Sequence, residues 1–421
     1  MPGSVIVAGV RTPIGRVAGS LRGHSAVGLG ALAIAAAVRA AGIDGGDVDA
    51  VVMGSAVQAG AGPNPARQAA AGAGIPMDVP ATTINKLCLS GLTAVAFADQ
   101  LISTGQHDIV VAGGMESMTN APHLIPSPRR RADDAQATDA LDHDALRCAF
   151  DGEPAGIATA RYQTRFGIPR EQQDDFAALS HARAAAAGKG GLLAEEIVPV
   201  STGPFFGRQL VEYDDGVWPG PLAEGPPATH PALPQDDEGA IPGGFAAQPS
   251  DGGCAMVLMS REHASRRGLN WLAEIGAYGV TAGTDPSLFG QPAAAARDAL
   301  RRAGGLAVGD IDLFEINEAF AGVVIASMRD LGLTSERVNV NGGGIALGHP
   351  IGMTGARMIL TLALELRRRG GGMGVAALSG GGGQGDAVLL RAPGMPVHTR
   401  PESRGPCWNR SITALSPRRR S

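Results

Sequence analysis

The sequence is poor in cysteine and aromatic residues, and it lacks any long apolar run. Its four cysteines are scattered and form no Cys-x-x-Cys pair, which excludes a compact disulfide framework and favours a reducing compartment, the cytoplasm. No apolar run reaches the roughly 18 residues that a membrane helix needs, and the N-terminus lacks the features of a signal peptide. A net charge of −5 over 421 residues argues against a nucleic-acid partner.

What the sequence does contain is glycine, 62 residues of it, and a regular alternation of strand and helix patterns. In the first part of the chain, Ala26–Ala41 and Pro65–Gly72 read as helices between apolar strands. After about residue 266 the alternation resumes, with helices predicted at Pro292–Ala303, Glu318–Leu331 and Gly355–Arg369. Such alternation predicts an α/β fold.

The two alternating regions resemble copies of one another. Each contains a turn, a small-residue helix, a strand and then a glycine pair. Between them lies a stretch rich in Pro, Asp and Gly, as expected of a functional insertion. We therefore predict an N-terminal half of residues 1–117 plus 250–265, a loop domain of 118–249, a C-terminal half of 266–391 and a disordered basic tail of 392–421.

Cys88 carries the most chemical information. It stands in Ile84-Asn85-Lys86-Leu87-Cys88-Leu89-Ser90-Gly91, where an apolar strand meets a helical pattern. The N-terminus of a helix carries partial positive charge, so we expect this position to lower the pKa of the thiol and favour the nucleophilic thiolate. The alternative is an inert, buried cysteine.

Three further motifs are candidates for the same functional site as Cys88. Asn317 stands at a predicted strand-to-helix junction, where it could simply cap the helix. His349 follows the run Asn341-Gly342-Gly343-Gly344, in which glycines let the backbone approach a ligand. The run from Gly380 to Gly385 satisfies Gly-x-Gly-x-x-Gly, but a strand is predicted after it, which argues against a dinucleotide site.

Together these ordered motifs resemble the thiolase family over nearly the whole of residues 4–391. Further segments that carry the resemblance are Arg11-Thr12-Pro13-Ile14-Gly15, Asn64-Pro65-Ala66-Arg67-Gln68 and Ala112-Gly113-Gly114-Met115-Glu116-Ser117-Met118. The resemblance implies two duplicated βαβαβαββ halves in five α-β-α-β-α layers with an inserted loop domain. It also implies a homo-oligomer, dimer or tetramer, that transfers acyl groups between coenzyme A and an acyl-CoA carbon. Coenzyme A is then a substrate, with no permanently bound cofactor and no metal site.

The resemblance assigns roles to particular residues. Cys88 would be the nucleophile that becomes the acyl-enzyme. His349 would activate Cys88 and help hold the thioester oxygen, while Asn317 would hold a water that completes this first oxyanion site. The backbone N–H groups of Cys88 and Gly381 would form a second oxyanion hole. The substrate-binding positions would be Ala155, Ala247, Ala319 and Phe320.

The sequence departs from the family pattern at three positions. The second catalytic cysteine of the family, an acid and base for the carbon–carbon step, is Ser379 here. Because a serine hydroxyl is a far weaker acid than a thiol, we predict intact acylation of Cys88 but slow Claisen chemistry. A pocket-lining methionine is replaced by Ala155, and a serine that contacts the pantetheine arm is replaced by Ala247.

These departures leave two alternatives open. A decarboxylating or simple acyl-transfer enzyme of the wider condensing superfamily would need only Cys88, Asn317 and His349, because decarboxylation creates the carbanion without an α-proton base. A degenerate thiolase kept as a binding partner would take up no acyl group at Cys88.

Overall fold

The computed structural model describes residues 3–125, 137–202, 209–217 and 246–394. Most of the predicted tail, residues 395–421, therefore lies outside the described residues. The strands are β1 (Ser4–Arg11), β2 (Gly15–Arg16), β3 (Ala50–Gly54), β4 (Ala81–Ile84), β5 (Ile109–Ser117), β6 (His123–Leu124), β7 (Thr138–Asp139), β8 (Val200–Ser201), β9 (Leu210–Val211), β10 (Ser250–Ser260), β11 (Ala273–Ala282), β12 (Leu313–Ile316), β13 (Gly372–Gly380) and β14 (Gln384–Ala392). The helices are α1 (Ala26–Ala41), α2 (Pro65–Gly72), α3 (Ser90–Ser103), α4 (Ala155–Phe166), α5 (Arg170–Lys189), α6 (Arg261–Arg266), α7 (Gln291–Arg302), α8 (Ala321–Leu331), α9 (Gly344–Leu347) and α10 (Thr354–Arg368).

The main sheet consists of two similar halves joined edge to edge. The strand order is β4-β3-β5-β10-β1 in the first half and β12-β13-β14-β11 in the second, with β1 pairing β11 where they meet. Val338 adds an isolated parallel bridge beside β12, at the position that β4 occupies beside β3. The predicted repeat is therefore present in the topology.

Helices cover both faces of the sheet and fill the space between its halves. Helices α3 and α10 contact each other and strands of both halves, α1 and α2 lie outside the first half, and α7 and α8 lie outside the second. Adjacent strand residues accordingly point into different cores: Val110 faces the central helices, whereas Val111 faces α1. This arrangement has the five predicted layers.

The central helices approach each other closely because glycine lies where they meet. A Cβ atom on Gly91 of α3 would lie 2.9 Å from the backbone nitrogen of Ala356, and one on Gly355 of α10 would lie 2.5 Å from that of Leu92. The loops that precede the two helices, one with Cys88 and the other with His349, are thereby brought to the same end of the central layer.

The two halves differ in how their last two strands are connected. In the second half β13 and β14 are joined by a short turn at Gly381–Gly383, whereas in the first half residues 118–249 lie between β5 and β10. Helix α5 of this insertion contacts α8 and α9, so the insertion packs against the second half. In the described part of the chain, no helix is long and apolar enough to cross a membrane.

Candidate active site

Cys88 lies in a tight turn between β4 and α3. Leu87 has a φ of +51°, a left-handed conformation that is uncommon for a leucine. Asn85 Oδ1 accepts a hydrogen bond from Leu87 N at 3.1 Å, and Ser90 Oγ accepts one from Lys86 N at 2.8 Å while it donates to Leu87 O at 2.6 Å. These bonds hold the strained turn that presents Cys88.

The expectation that the helix N-terminus would lower the pKa of this thiol is wrong. Burial raises the pKa of Cys88 to about 11, and the nearby charge of Glu116 raises it further. The backbone N–H groups of Cys88 and Gly381 lie close enough to the sulfur to lower its pKa, but by less than burial raises it. The helix starts only at Ser90, so Cys88 precedes its first turn.

The glycine turn after β13 lies directly against the Cys88 turn. A Cβ atom on Gly381 would come within 2.6 Å of the Leu87 side chain, and one on Gly380 within 2.6 Å of Leu89. These two leucines flank Cys88 in the chain. The absence of side chains at Gly380 and Gly381 thus lets the backbone of the second half reach the thiol.

The imidazole ring of His349 is oriented by Thr354. Its Nδ1 lies 2.6 Å from Thr354 Oγ1, and Thr354 Oγ1 donates its one proton to Pro350 O at 2.9 Å. Thr354 must then accept from Nδ1–H, which leaves Nε2 as the free, unprotonated nitrogen. Burial, with a contribution from Arg357, lowers the pKa of His349 to about 4. Ile351, two residues on, packs in one cluster with Leu87 and Cys88.

Asn317 and Ser379 lie on neighbouring strand ends. Asn317 directly follows β12, and its backbone N–H donates to Ala377 O of β13 at 3.0 Å, two residues before Ser379. Both side chains are buried, yet among the described residues neither amide atom of Asn317, nor Ser379 Oγ, nor His349 Nε2 has a hydrogen-bond partner. Buried polar groups normally have partners, so these atoms mark a place for a ligand.

The predicted substrate-binding positions divide into two groups. Ala247 N donates to Ala319 O at 3.1 Å, and a bridge joins Ala246 to Phe320, which places Ala247, Ala319 and Phe320 beside Asn317. Ala155 instead begins α4, where its carbonyl accepts from Thr159. No hydrogen bond or bridge within the described ranges connects Ala155 to the Cys88 turn.

The structure adds residues to which the sequence assigns no role. Thr354 orients His349, and nothing in the sequence distinguishes it from an ordinary hydroxyl at the start of a helix. The Glu116 carboxylate accepts from the backbone nitrogens of Ala56, Val57 and Gly352, which ties the end of β3 to the loop after His349. Burial raises the pKa of Glu116 to about 7. Glu116 stands in a family motif, but only the fold shows what it binds.

Comparison with known proteins agrees with this architecture. The family model described as "Thiolase, N-terminal domain" matches residues 4–262, and "Thiolase, C-terminal domain" matches residues 269–392. A "Probable acetyl-CoA acetyltransferase" of Mycobacterium leprae is 51% identical over 395 residues, which cover 93% of this chain and 100% of the relative. The Mycobacterium tuberculosis protein of the same name is 50% identical with the same coverage. An "Acetyl-CoA acetyltransferase" of Escherichia coli is 43% identical over 394 residues, 93% of this chain and 99% of its own. The chain belongs to the thiolase family.

Proposed function

We propose that this chain transfers an acetyl or other short acyl group between coenzyme A and the α-carbon of an acyl-CoA through an acyl-Cys88 intermediate. The observation that carries the proposal is the pair of N–H groups at the sulfur. They come from Cys88 and Gly381, and thus from opposite halves of the chain. Donors fixed in this way before reaction can stabilise a carbonyl oxygen as it becomes negatively charged.

His349 serves as the base that activates Cys88. With the pKa of the thiol at about 11 and that of the imidazole at about 4, both groups are neutral in the resting enzyme. Cys88 therefore gives up its proton as the sulfur attacks the thioester carbon, and Nε2 of His349 receives it. The proton then passes to the sulfur of the departing coenzyme A, and the acyl group remains on Cys88.

Asn317 and His349 hold the oxygen of the second substrate. The free amide atoms of Asn317 bind a water, and this water donates to the thioester oxygen of the acyl-CoA whose α-carbon reacts. His349 adds a second donor to that oxygen only while its Nε2 carries a proton, because its Nδ1–H is already bonded to Thr354. Negative charge grows on that oxygen when the α-proton leaves. The carbon–carbon bond of the 3-ketoacyl-CoA then forms as the bond between the acyl group and the Cys88 sulfur breaks, and the departing sulfur takes up the proton that the α-carbon lost.

Ser379 limits this second stage. Its hydroxyl occupies the position of the group that removes the α-proton in synthesis and returns it in cleavage. An alkoxide is not accessible near neutral pH, so Ser379 offers weak acid–base help there. Loading of Cys88 is then fast relative to the making or breaking of the carbon–carbon bond.

The proposal of acetyl-CoA as substrate rests on the relatives named acetyl-CoA acetyltransferase, which support a thiolase over the decarboxylating and non-catalytic alternatives. We also propose a homo-oligomer in the cytoplasm. The test is incubation with acetoacetyl-CoA and coenzyme A, with malonyl-CoA as the comparison substrate. Formation of acetyl-CoA that is lost in Cys88→Ala supports the proposal. Turnover of malonyl-CoA alone would favour the decarboxylating enzyme, and no turnover of either would favour the binding protein.

A further inference from the structure

A buried carboxylate of the second half holds the chain on both sides of Cys88. Asp386 of β14 is fully buried, and its Oδ1 accepts from Lys86 Nζ at 2.6 Å while its Oδ2 accepts from Thr93 Oγ1 at 2.8 Å. Lys86 precedes Cys88 in the turn, and Thr93 lies in the first turn of α3. One side chain therefore fixes the entry to the Cys88 turn and the exit from it.

Asp386 also belongs to the strand pair that carries the acid–base position and the second N–H donor. Asp386 pairs across the ladder with Leu378 of β13, the residue before Ser379. The strands β13 and β14 also carry the turn that contains Gly381. The Tyr278 side chain of β11 also lies close to Asp386 and Thr93. Asp386 is thus rigidly connected to the strand pair that supplies Gly381 and to the turn that supplies the sulfur.

Stability alone gives no reason for charges at this place. Removing a carboxylate from water is costly, and apolar residues of similar size often replace a buried ion pair without loss of stability. The Lys86 side chain is 20% exposed and the Asp386 side chain 0%, so Asp386 bears most of the desolvation. Such a carboxylate can instead fix the position of a nucleophile. Its hydrogen bonds to residues on both sides of the nucleophile hold those two backbone segments in place relative to one side chain.

We propose that Asp386 is a positioning residue for acyl transfer, which through Lys86 and Thr93 sets the Cys88 sulfur against the N–H of Gly381. The proposal rests on the proposed role of Cys88 as acyl acceptor. A displacement of about 1 Å at a reacting atom can cost roughly 100-fold in rate. Loss of the hydrogen bonds from Lys86 and Thr93 to Asp386 should therefore slow acylation while leaving the binding of acyl-CoA, and hence KM, nearly unchanged.

The test separates positioning from stability with a double variant. In Lys86→Met/Asp386→Leu no buried charge is left unpaired, so the urea midpoint should stay near that of the wild type. The rate of Cys88 acetylation by acetyl-CoA in a single turnover should nevertheless fall about 100-fold. A wild-type rate in the folded double variant would overturn the proposal.

Two further variants complete the experiment. Asp386→Asn keeps the shape and a hydrogen bond to Thr93 but removes the charge; an unchanged acetylation rate in it would also overturn the proposal, even if the double variant does not fold. Arg267→Ala breaks the surface pair with Asp47 and should leave the rate as it is. The wild type tests the proposed function separately. Absence of acetyl-Cys88 in the wild type would refute the role of Cys88 as acyl acceptor, which is a different claim from the positioning role of Asp386.

Discussion

Replacing Ser379 by cysteine should accelerate the carbon–carbon step strongly. The substitution exchanges one atom, oxygen for sulfur, at a position that is 1% exposed at the end of β13. A thiol titrates near pH 8.5, whereas a serine hydroxyl does not titrate in the accessible range. A well-placed acid–base group typically contributes about 10²- to 10⁴-fold, so cleavage of acetoacetyl-CoA by coenzyme A should gain by roughly that factor.

The same substitution should not cost stability. Ser379 Oγ has no hydrogen-bond partner among the described residues, and a buried hydroxyl without a partner costs about 1–3 kcal/mol. A thiol is a weaker hydrogen-bonding group and loses less on burial. The free energy of unfolding in urea should thus stay constant or rise by about 1 kcal/mol. A faster Ser379→Cys variant would then not owe its rate to a larger folded fraction.

Two measurements separate the stages of the reaction. Steady-state cleavage of acetoacetyl-CoA reports the carbon–carbon step, and the single-turnover acetylation of Cys88 by acetyl-CoA reports loading. Ser379→Cys should accelerate the cleavage of acetoacetyl-CoA and leave the rate of Cys88 acetylation unchanged. Ser379→Ala is the matched control and should cleave about as slowly as the wild type. If Ser379→Cys cleaves no faster while loading is intact, the acid–base reasoning is refuted.

Three other perturbations test the parts of the site one at a time. Gly381→Ala would place a Cβ atom 2.6 Å from the Leu87 side chain and should slow acylation about 10²- to 10³-fold by displacing an oxyanion donor. Gly46→Ala is the control and should keep the wild-type rate, because no atom of the described residues lies within 4 Å of the added Cβ. Thr354→Val removes the acceptor for His349 Nδ1–H and should lower kcat by roughly 100-fold, while Thr354→Ser should retain most activity; equal losses in both would contradict the tautomer assignment. Because the pKa of His349 is lowered to about 4 from 6.5, the unfolded chain takes up a proton at this residue at a higher pH than the folded protein does. About 3 kcal/mol of stability is therefore lost as pH falls from 6.5 to 4, and urea unfolding of His349→Ala should depend less on pH over this range; an unchanged dependence would contradict the burial argument.

Local signals in the sequence were sufficient for several elements. Helix α1 spans the predicted Ala26–Ala41 because Ser25 caps its first turn and Gly42 ends it in a left-handed conformation. The rejection of a dinucleotide site is also supported, since a strand follows the glycines after Ser379. By contrast, no strand was predicted at Ser250–Ser260 or Ala273–Ala282. The first of these strands is buried on both faces, so it shows no alternation of apolar and polar residues.

The prediction was weaker where distant parts of the chain meet. Helix α8 begins at Ala321 and not at the predicted Glu318, because Ala319 and Phe320 pair with the segment at Ala246 and Ala247. The pKa of Cys88 depends on burial by both halves, which a local strand-to-helix pattern cannot reveal. The partner of Lys86 lies 300 positions along the chain. The roles of the site residues and the domain boundaries stay predictions.

The most direct test of the account is the mass of Cys88 after incubation with acetyl-CoA. The peptide that contains Cys88 should gain one acetyl group in the wild type and none in Cys88→Ser, and added coenzyme A should remove the group and return acetyl-CoA. An unmodified Cys88 in folded protein, or an acetyl group carried by Cys148 in its place, would contradict the claim that Cys88 is the acyl acceptor.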